Sequence, residues 1–377
     1  MNVPASPDTP PPSSPLASAR GAQDPSQGLS APTPEEREAT GRQLLRLQEY
    51  AAGFFGVWTL DLGLRHGLFA ALSRHSEGLS AEFLARELDL DRMYVSVWCN
   101  AAYSEELVEY REGKFFLAPG LQAPLLEPES PVYFGGTAKF LGALRDAWGF
   151  LDQHLRDGEH SWWDQFPPEL SASQADSSRT FYTRLLRKGF AQVPGLSERL
   201  GGSATPLTVV ELACGRGAGL VRLAKAFPHA RFHGIEGDEG SVKAAQEAIA
   251  KEGLSHRVVV EHKTLEKGSF PAADVVLMNI ALHEVQDKEG VVRNVVRSLR
   301  PKGTFLISEF PFPEWEELPR LRTPAGRVMA GVQYLEGILD DQLLPPVQFM
   351  NLLRKAGMRE VSSSELAPIH VLVWGTK

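Results

Sequence analysis

The run Thr208-Val-Val-Glu-Leu-Ala-Cys-Gly-Arg-Gly-Ala-Gly-Leu220 constrains the fold more than any other stretch of the chain. Thr208 to Leu212 is β-branched and apolar with one acid near its end, the pattern of a buried parallel strand. A glycine-rich turn follows, and then Leu220, Val221, Leu223, Ala224 and Phe227 recur at helical spacing until Pro228 stops them. Without side chains, the turn lets a ligand approach its backbone. Strand, bare turn and helix in that order predict an open α/β sheet whose ligand binds at the carboxyl end of a central strand.

Spacing narrows the ligand. A dinucleotide fingerprint needs a third glycine where Leu220 stands, so that pattern fails. What is present is an acid, Glu211, followed by Ala213, Gly215 and Gly217 at alternate positions. This resembles motif I of the class I S-adenosylmethionine-dependent methyltransferases, with Ala213 in place of the first glycine. The acid suits a cofactor carrying an ammonium and a sulfonium, whereas a pyrophosphate would want backbone N–H groups and positive charge. Arg231 to Glu236 reads as the next strand. Glu236 lies roughly 20 residues past the glycines, where a carboxylate can bridge ribose hydroxyls. Gly237 beside it leaves a flat surface for the adenine.

With 377 residues, the chain is long enough for two cored domains. A net charge of −8 gives no expectation of a nucleic-acid or anionic-membrane surface. No apolar run approaches a membrane span and no secretory leader is visible. The only two cysteines, Cys99 and Cys214, lack metal-ligand spacing, which fits a reduced, cytoplasmic protein and gives no metal site. Residues 1–33, rich in Pro, Ser, Ala and Gly, are expected to be a disordered tail.

From Pro34 a helix opens with Glu35, Glu36 and Glu38 in its first turns, as the helix dipole favours. Leu44, Leu47, Ala51, Phe54 and Trp58 recur at alternating three- and four-residue steps, widened by Leu45, Ala52 and Phe55. So broad a stripe predicts either a central core helix or packing on a second copy; a homodimer is expected. Three helical stretches follow: Trp58 to Leu72, a helix capped by Ser80 through Leu88, and one capped by Asp91 through Ala102. Two short strands, Leu107 to Tyr110 and Lys114 to Leu117, complete a winged-helix pattern over 34–125. A DNA-binding, ligand-sensing regulator is the alternative in another functional class. Against it, the presumptive recognition helix offers Arg92 alone as a base, among Asp91, Glu105 and Glu106.

Residues 126–200 are helical and aromatic-rich (Phe134, Phe140, Trp148, Phe150, Trp162, Trp163, Phe166, Phe181, Tyr182), a bridge with some side chains expected on a pocket. From 201 to 377 the strands continue at Arg257 to Glu261, Asp274 to Met278 and Gly303 to Glu309, with amphipathic helices between. Arg359 to Glu365 and Ile369 to Trp374 are spaced as an antiparallel pair at a sheet edge. The expectation is α/β: a Rossmann-like seven-stranded methyltransferase sheet behind an amino-terminal winged-helix dimerisation domain.

His283 stands just beyond the fourth strand, followed by Glu284, and Glu309 closes the fifth. An imidazole with a carboxylate beside it can act as general base on a hydroxyl; the alternative is a histidine that packs over the cofactor. From about residue 40 onward the chain resembles small-molecule O-methyltransferases with an amino-terminal dimerisation domain. The resemblance implies the base at His283, supported by Glu309 and with Glu284 in the place of an aspartate. It also implies a cofactor set of Glu211, Ala213, Gly215, Gly217, Glu236, Gly237, Thr264 and Asn279. Three positions depart. No second supporting acid stands in register near Gln342-Leu343-Leu344, Lys263 replaces the adenine-contacting acid, and Leu185 fills a slot where the family often has methionine. The missing acid leaves N- or C-methylation open, and chemistry on the cofactor other than methyl transfer is also open.

Overall fold

The computed structural model describes residues 32–202, 205–266 and 268–377, so the tail expected over 1–33 lies, but for its last two residues, outside the described residues. The chain divides into two compact units, Met1–Gly53 and Phe54–Lys377. Helix α1 (Pro34–Arg65) begins in the first and ends in the second. Its start is a reciprocal cap: the Glu36 N–H donates to Thr33 Oγ1 at 3.2 Å, and the Thr33 N–H donates to Glu36 Oε2 at 2.7 Å. On α1 Leu44, Leu45, Leu47, Phe54, Phe55 and Trp58 are exposed, Leu47 at 61 % and Phe55 at 64 %, whereas Leu60, Leu62 and Leu64 are half-buried against a core.

Next come α2 (Leu68–Arg74), α3 (Ala81–Glu87), α4 (Arg92–Ser104), β1 (Val108–Arg111) and β2 (Lys114–Leu117), the two strands pairing antiparallel. Ser80 and Asp91 cap α3 and α4 as expected, accepting from the Phe83 and Tyr94 N–H groups. The helix expected over Trp58 to Leu72 is instead two helices. Gly67, at φ +73°, ends the first in the left-handed conformation that a glycine adopts without strain. Phe69, Leu84, Trp98 and Cys99 fill the core here, and the Trp98 indole N–H donates to the Thr59 carbonyl at 2.9 Å.

The bridge is α5 (Gln122–Leu126), α6 (Gly135–Ala143), α7 (Arg145–His154), α8 (Pro168–Ser177), α9 (Arg179–Arg184), a π-helical turn (Leu185–Gly189), α10 (Phe190–Gln192) and α11 (Leu196–Gly202). Of its aromatics, Phe140, Phe166, Phe181 and Tyr182 are buried, whereas Phe134, Trp148 and Trp162 are exposed.

The rest alternates: β3 (Thr208–Leu212), α12 (Ala218–Ala226), β4 (Arg231–Glu236), α13 (Glu239–Lys251), β5 (Val258–His262), β6 (Ala273–Asn279), α14 (Lys288–Ser298), β7 (Leu299–Glu309), α15 (Pro324–Ile338), α16 (Pro346–Lys355), β8 (Arg359–Ala367) and β9 (His370–Thr376). The seven strands form one sheet ordered β5-β4-β3-β6-β7-β9-β8, parallel except for the β9 and β8 edge. Because side chains alternate along a strand, each strand feeds two cores. Val209, Val275, Leu277, Leu306 and Leu372 pack with Tyr182, Leu185 and Leu220 on one face. Val210, Leu212, Val276, Met278, Ile307 and Val371 pack with Val291, Val295 and Phe349 on the other. Strand order reverses between β3 and β6, which opens a crevice at their carboxyl ends.

Candidate active site

The glycine turn joins β3 to α12 through three left-handed residues: Ala213 at φ +52°, Gly215 at +53° and Gly217 at +77°. A Cβ on Gly217 would lie 2.9 Å from the Ala245 Cβ, so helix packing as well as backbone conformation requires glycine there. Glu236, ending β4, accepts from the Gly215 N–H at 2.8 Å and from the Asp238 N–H at 3.0 Å, tying the turn to the next strand. A Cβ on Gly237 would meet nothing within 4 Å. Thr264 is exposed on the loop after β5. Lys263 turns away to its own loop, with Nζ donating to the Ser269 carbonyl at 2.6 Å.

Glu211 is fully buried beneath the turn. The Tyr182 hydroxyl donates to its Oε1 at 2.6 Å, while Oε2 has no hydrogen-bond partner among the described residues. Burial pushes the Glu211 carboxyl up to about 8, the phenol opposing and the Glu236 charge adding. An orphaned carboxylate oxygen under a bare turn is a fit for a cationic group. Sequence reasoning missed Tyr182 as its partner, because the two stand on different elements.

Residue His283, on the turn after β6, is sealed from solvent. Its Nδ1 lies 2.8 Å from Glu309 Oε2 at the end of β7. The other oxygen of Glu309 accepts from the N–H groups of Ala281, Leu282 and His283 at 3.1, 3.0 and 3.4 Å, so one carboxylate shapes the whole turn. Nε2 lies 3.3 Å from Glu336 Oε2, off the axis of a hydrogen bond, and 3.9 Å from Glu284 Oε1. Burial opposes protonation of this imidazole, but Glu309 and then Glu336 outweigh it and hold its pKa well above the usual 6.5.

No acid from Gln342-Leu343-Leu344 meets this ring; the carboxylate beside Nε2 is that of Glu336, six residues before Gln342 on α15. Its sequence signal was an acid among Met329, Val332 and Leu335 on one buried helix face. Crowding has a cost. Burial pushes Glu284 up to about 8, even though 27 % of its side chain is exposed, and pushes Asp341 up to about 7; neighbouring carboxylates add to both. No clustered metal ligands were legible in the sequence, yet the fold gathers ligand atoms of His283, Glu284 and Glu336 within 4.8 Å of one another. Asn279, ending β6, is buried with its Oδ1 accepting from the Ser308 hydroxyl at 2.6 Å. Leu185, in the methionine slot, is fully buried against the first sheet face. Apolar side chains gather in a separate cluster, Met329, Val332 and Leu343 with Phe310, Phe312 and Ile369.

Residues 210–305 match a family described as a methyltransferase domain. A 103-residue stretch is 34 % identical to the polyketide synthase ThaQ of Burkholderia thailandensis, covering 27 % of this chain and 5 % of that protein. The 27-O-demethylrifamycin SV methyltransferase of Amycolatopsis mediterranei is 28 % identical over 182 residues, 46 % of this chain and 62 % of that one. The chain thus spans less than two thirds of the length of these curated relatives. Among solved structures, an O-methyltransferase family protein from Burkholderia thailandensis aligns with a TM-score of 0.62 at 21 % identity, over 89 % of this chain and 98 % of that one. Human N-acetylserotonin methyltransferase, solved in complex with SAM, aligns at 0.67 and 18 % identity, over 89 % and 97 %. Residues 210–305 are therefore a methyltransferase domain, set in the fold of solved O-methyltransferase family proteins.

Proposed function

We propose that the chain is an S-adenosylmethionine-dependent O-methyltransferase for a small-molecule acceptor, a cytoplasmic homodimer with His283 as its general base. Residues 34–125 would be the winged-helix dimerisation domain, 126–200 the bridge that lines the acceptor pocket, and 201–377 the cofactor domain. Exposed Leu44, Leu47, Phe55 and Trp58 on α1, and Met93, Tyr94 and Val97 on α4, support association with a second copy. The same apolar exposure on α4 speaks against a phosphate-facing recognition helix. Two free, buried cysteines fit a reducing compartment.

The cofactor supplies an electrophilic methyl group on a sulfonium. Glu211 Oε2 would take its ammonium, Glu236 its ribose hydroxyls, and the backbone from Ala213 to Gly217 the space between. Gly237, Thr264 and Asn279 complete the set. On the acceptor side His283 Nε2 takes the hydroxyl proton, and Glu309 and Glu336 stabilise the imidazolium that results. Glu284 stands beside them. The apolar cluster around Met329 and Phe310 suits a flat, apolar acceptor.

One observation carries this reading: Nδ1 of His283 is committed to Glu309, which leaves Nε2 as the nitrogen that can accept a proton. N- or C-methylation, the alternative encouraged by a missing second acid, loses that encouragement with Glu336 beside the ring. The test is label transfer from S-adenosylmethionine to a panel of phenols, hydroxylated polyketides and amines. His283→Ala should lower turnover about 10²–10⁴-fold while calorimetric binding of S-adenosylhomocysteine is retained. Turnover unaltered in that variant would assign His283 to packing.

A further inference from the structure

Alternation along the strands places four polar side chains on one face of the sheet: Glu211 on β3, Asn279 on β6, Ser308 on β7 and His370 on β9. They continue the rows of Val209, Leu277, Leu306 and Leu372, whose side chains form the apolar core of that face. All four are buried, His370 and Ser308 at 0 % exposure and Asn279 at 7 %. A polar row across four strands of a sheet core is costly unless each group is satisfied in turn.

The links fix a direction. Ser308 Oγ lies 2.6 Å from Asn279 Oδ1 and 2.8 Å from His370 Nε2. A hydroxyl has one proton, so if it goes to the amide oxygen, Nε2 must be the protonated nitrogen of His370. Nδ1 is then a bare lone pair with no hydrogen-bond partner among the described residues, on an imidazole whose centroid lies 4.5 Å from that of the Phe181 ring. Reversing the amide would reverse the whole chain: Asn279 Nδ2 would donate to Ser308, Ser308 to Nε2, and a proton would sit on Nδ1. The amide as it stands presents Oδ1 to the Ser308 hydroxyl, and an amide oxygen can only accept, so the reversed chain does not apply. The forward direction therefore holds. It leaves the Asn279 Nδ2 donors beside the Tyr182 hydroxyl but without a well-formed hydrogen bond among the described residues, although the side chain is more than nine-tenths buried.

We propose that His370 and Ser308 are positioning residues that lock the Asn279 amide with Nδ2 toward the cofactor cleft, where it donates to the carboxylate at the amino-acid end of S-adenosylmethionine. The inference rests on the cofactor reading above. Its ground is the neighbouring strand: β3 and β6 pair directly, Leu212 opposite Met278, so the unspent Glu211 Oε2 and the unspent Asn279 amide stand on adjacent strands of one face. An acceptor for an ammonium beside a donor for a carboxylate matches an α-amino acid group.

The test compares two ligands on the full chain by calorimetry. S-adenosylhomocysteine carries the amino-acid end, and 5′-methylthioadenosine lacks it. Ser308→Ala and His370→Phe should weaken the first about tenfold, a lost hydrogen bond to a charged group, and leave the second unchanged. His370→Gln, which can still donate to Ser308, should restore most of the loss. In the wild type, nitrogen-15 resonances of His370 should report a neutral ring protonated on Nε2. Equal weakening of both ligands, no weakening of either, or a proton on Nδ1 would each overturn the lock. If the wild-type chain binds neither ligand, the cofactor reading falls and the carboxylate assignment with it, while the tautomer still tests the His370–Ser308–Asn279 chain by itself.

Discussion

His283 Nδ1 and Glu309 Oε2 lie 2.8 Å apart with both side chains closed to solvent. That pairing does two things at once. The carboxylate fixes the ring and, through its other oxygen, three backbone N–H groups of the turn that carries it. It also raises the affinity of the ring for a proton, so the neutral ring that a base requires is favoured only as pH rises.

The first prediction is the sign of the pH dependence. With the folded pKa of His283 well above 6.5, the neutral ring gains population as pH rises through that pKa. Turnover at saturating cofactor should climb into the alkaline range. Glu309→Gln removes the larger opposing charge, so its rising limb should move toward acid while the plateau falls. A limb unmoved by the substitution would assign the titration to another group.

Glu336 supplies the second. Its charge also favours the imidazolium, after that of Glu309, so Glu336→Gln should shift the limb the same way by less. Both acids act on one ring. The double variant should therefore lose less than the product of the two single losses, the non-additivity expected of a shared partner. Multiplying losses would mean that the two acids act separately.

The strands and the turn were legible in the sequence because they are local. The continuous apolar runs of β3, β6 and β7 and the unbranched stretch from Ala213 to Gly217 carry their own signal, as do the caps at Ser80 and Asp91. Glu336 and Tyr182 were not legible, for a physical reason. Each meets its partner only when a helix from elsewhere docks: Tyr182 reaches Glu211 across 29 residues of chain. A lone acid on an apolar helix face is ambiguous until the fold shows what it faces. The break at Gly67 was misread because the apolar spacing continues across a residue whose left-handed conformation ends the helix.

Glu211 gives the third prediction. With a folded pKa of about 8 against an ordinary 4.5, the carboxyl is mostly protonated in the empty site at pH 7. A cofactor ammonium at Oε2 favours the carboxylate, so binding should release close to one proton, about 0.9 at pH 7. Calorimetry in buffers of different ionisation enthalpy measures this. The linked stability change has a definite sign: between pH 4.5 and about 8 the folded state holds the proton and the unfolded state does not. The contribution of Glu211 to stability without ligand must therefore decline as pH rises through that window. Binding without proton release would place the ammonium elsewhere.

Gly217 supports a fourth. Valine there must adopt φ near +77° and place a Cβ 2.9 Å from that of Ala245. Left-handed strain alone costs about 1–3 kcal/mol, and relieving it means moving the turn away from the start of α12. Gly217→Val should lower the thermal midpoint and weaken S-adenosylhomocysteine by at least about tenfold, since a 1.4 kcal/mol distortion already does that. Gly237→Ala is the control. Its Cβ meets nothing within 4 Å, so stability should hold while adenine binding alone weakens.

The fifth concerns association. Phe54, Phe55 and Trp58 form an exposed aromatic group, with ring centroids 5.5 and 6.2 Å apart from Phe54. Aromatic pairs in water gain little from each other compared with what they gain by burial against a partner. Phe55→Glu puts a charge where a second copy would exclude water, and removes no buried contact of its own fold, since Phe55 is 64 % exposed. Sedimentation should give twice 41.4 kDa for the wild type and 41.4 kDa for the variant, with cofactor binding intact. A wild-type chain that sediments as a monomer at micromolar concentration would leave this aromatic face for some partner other than itself.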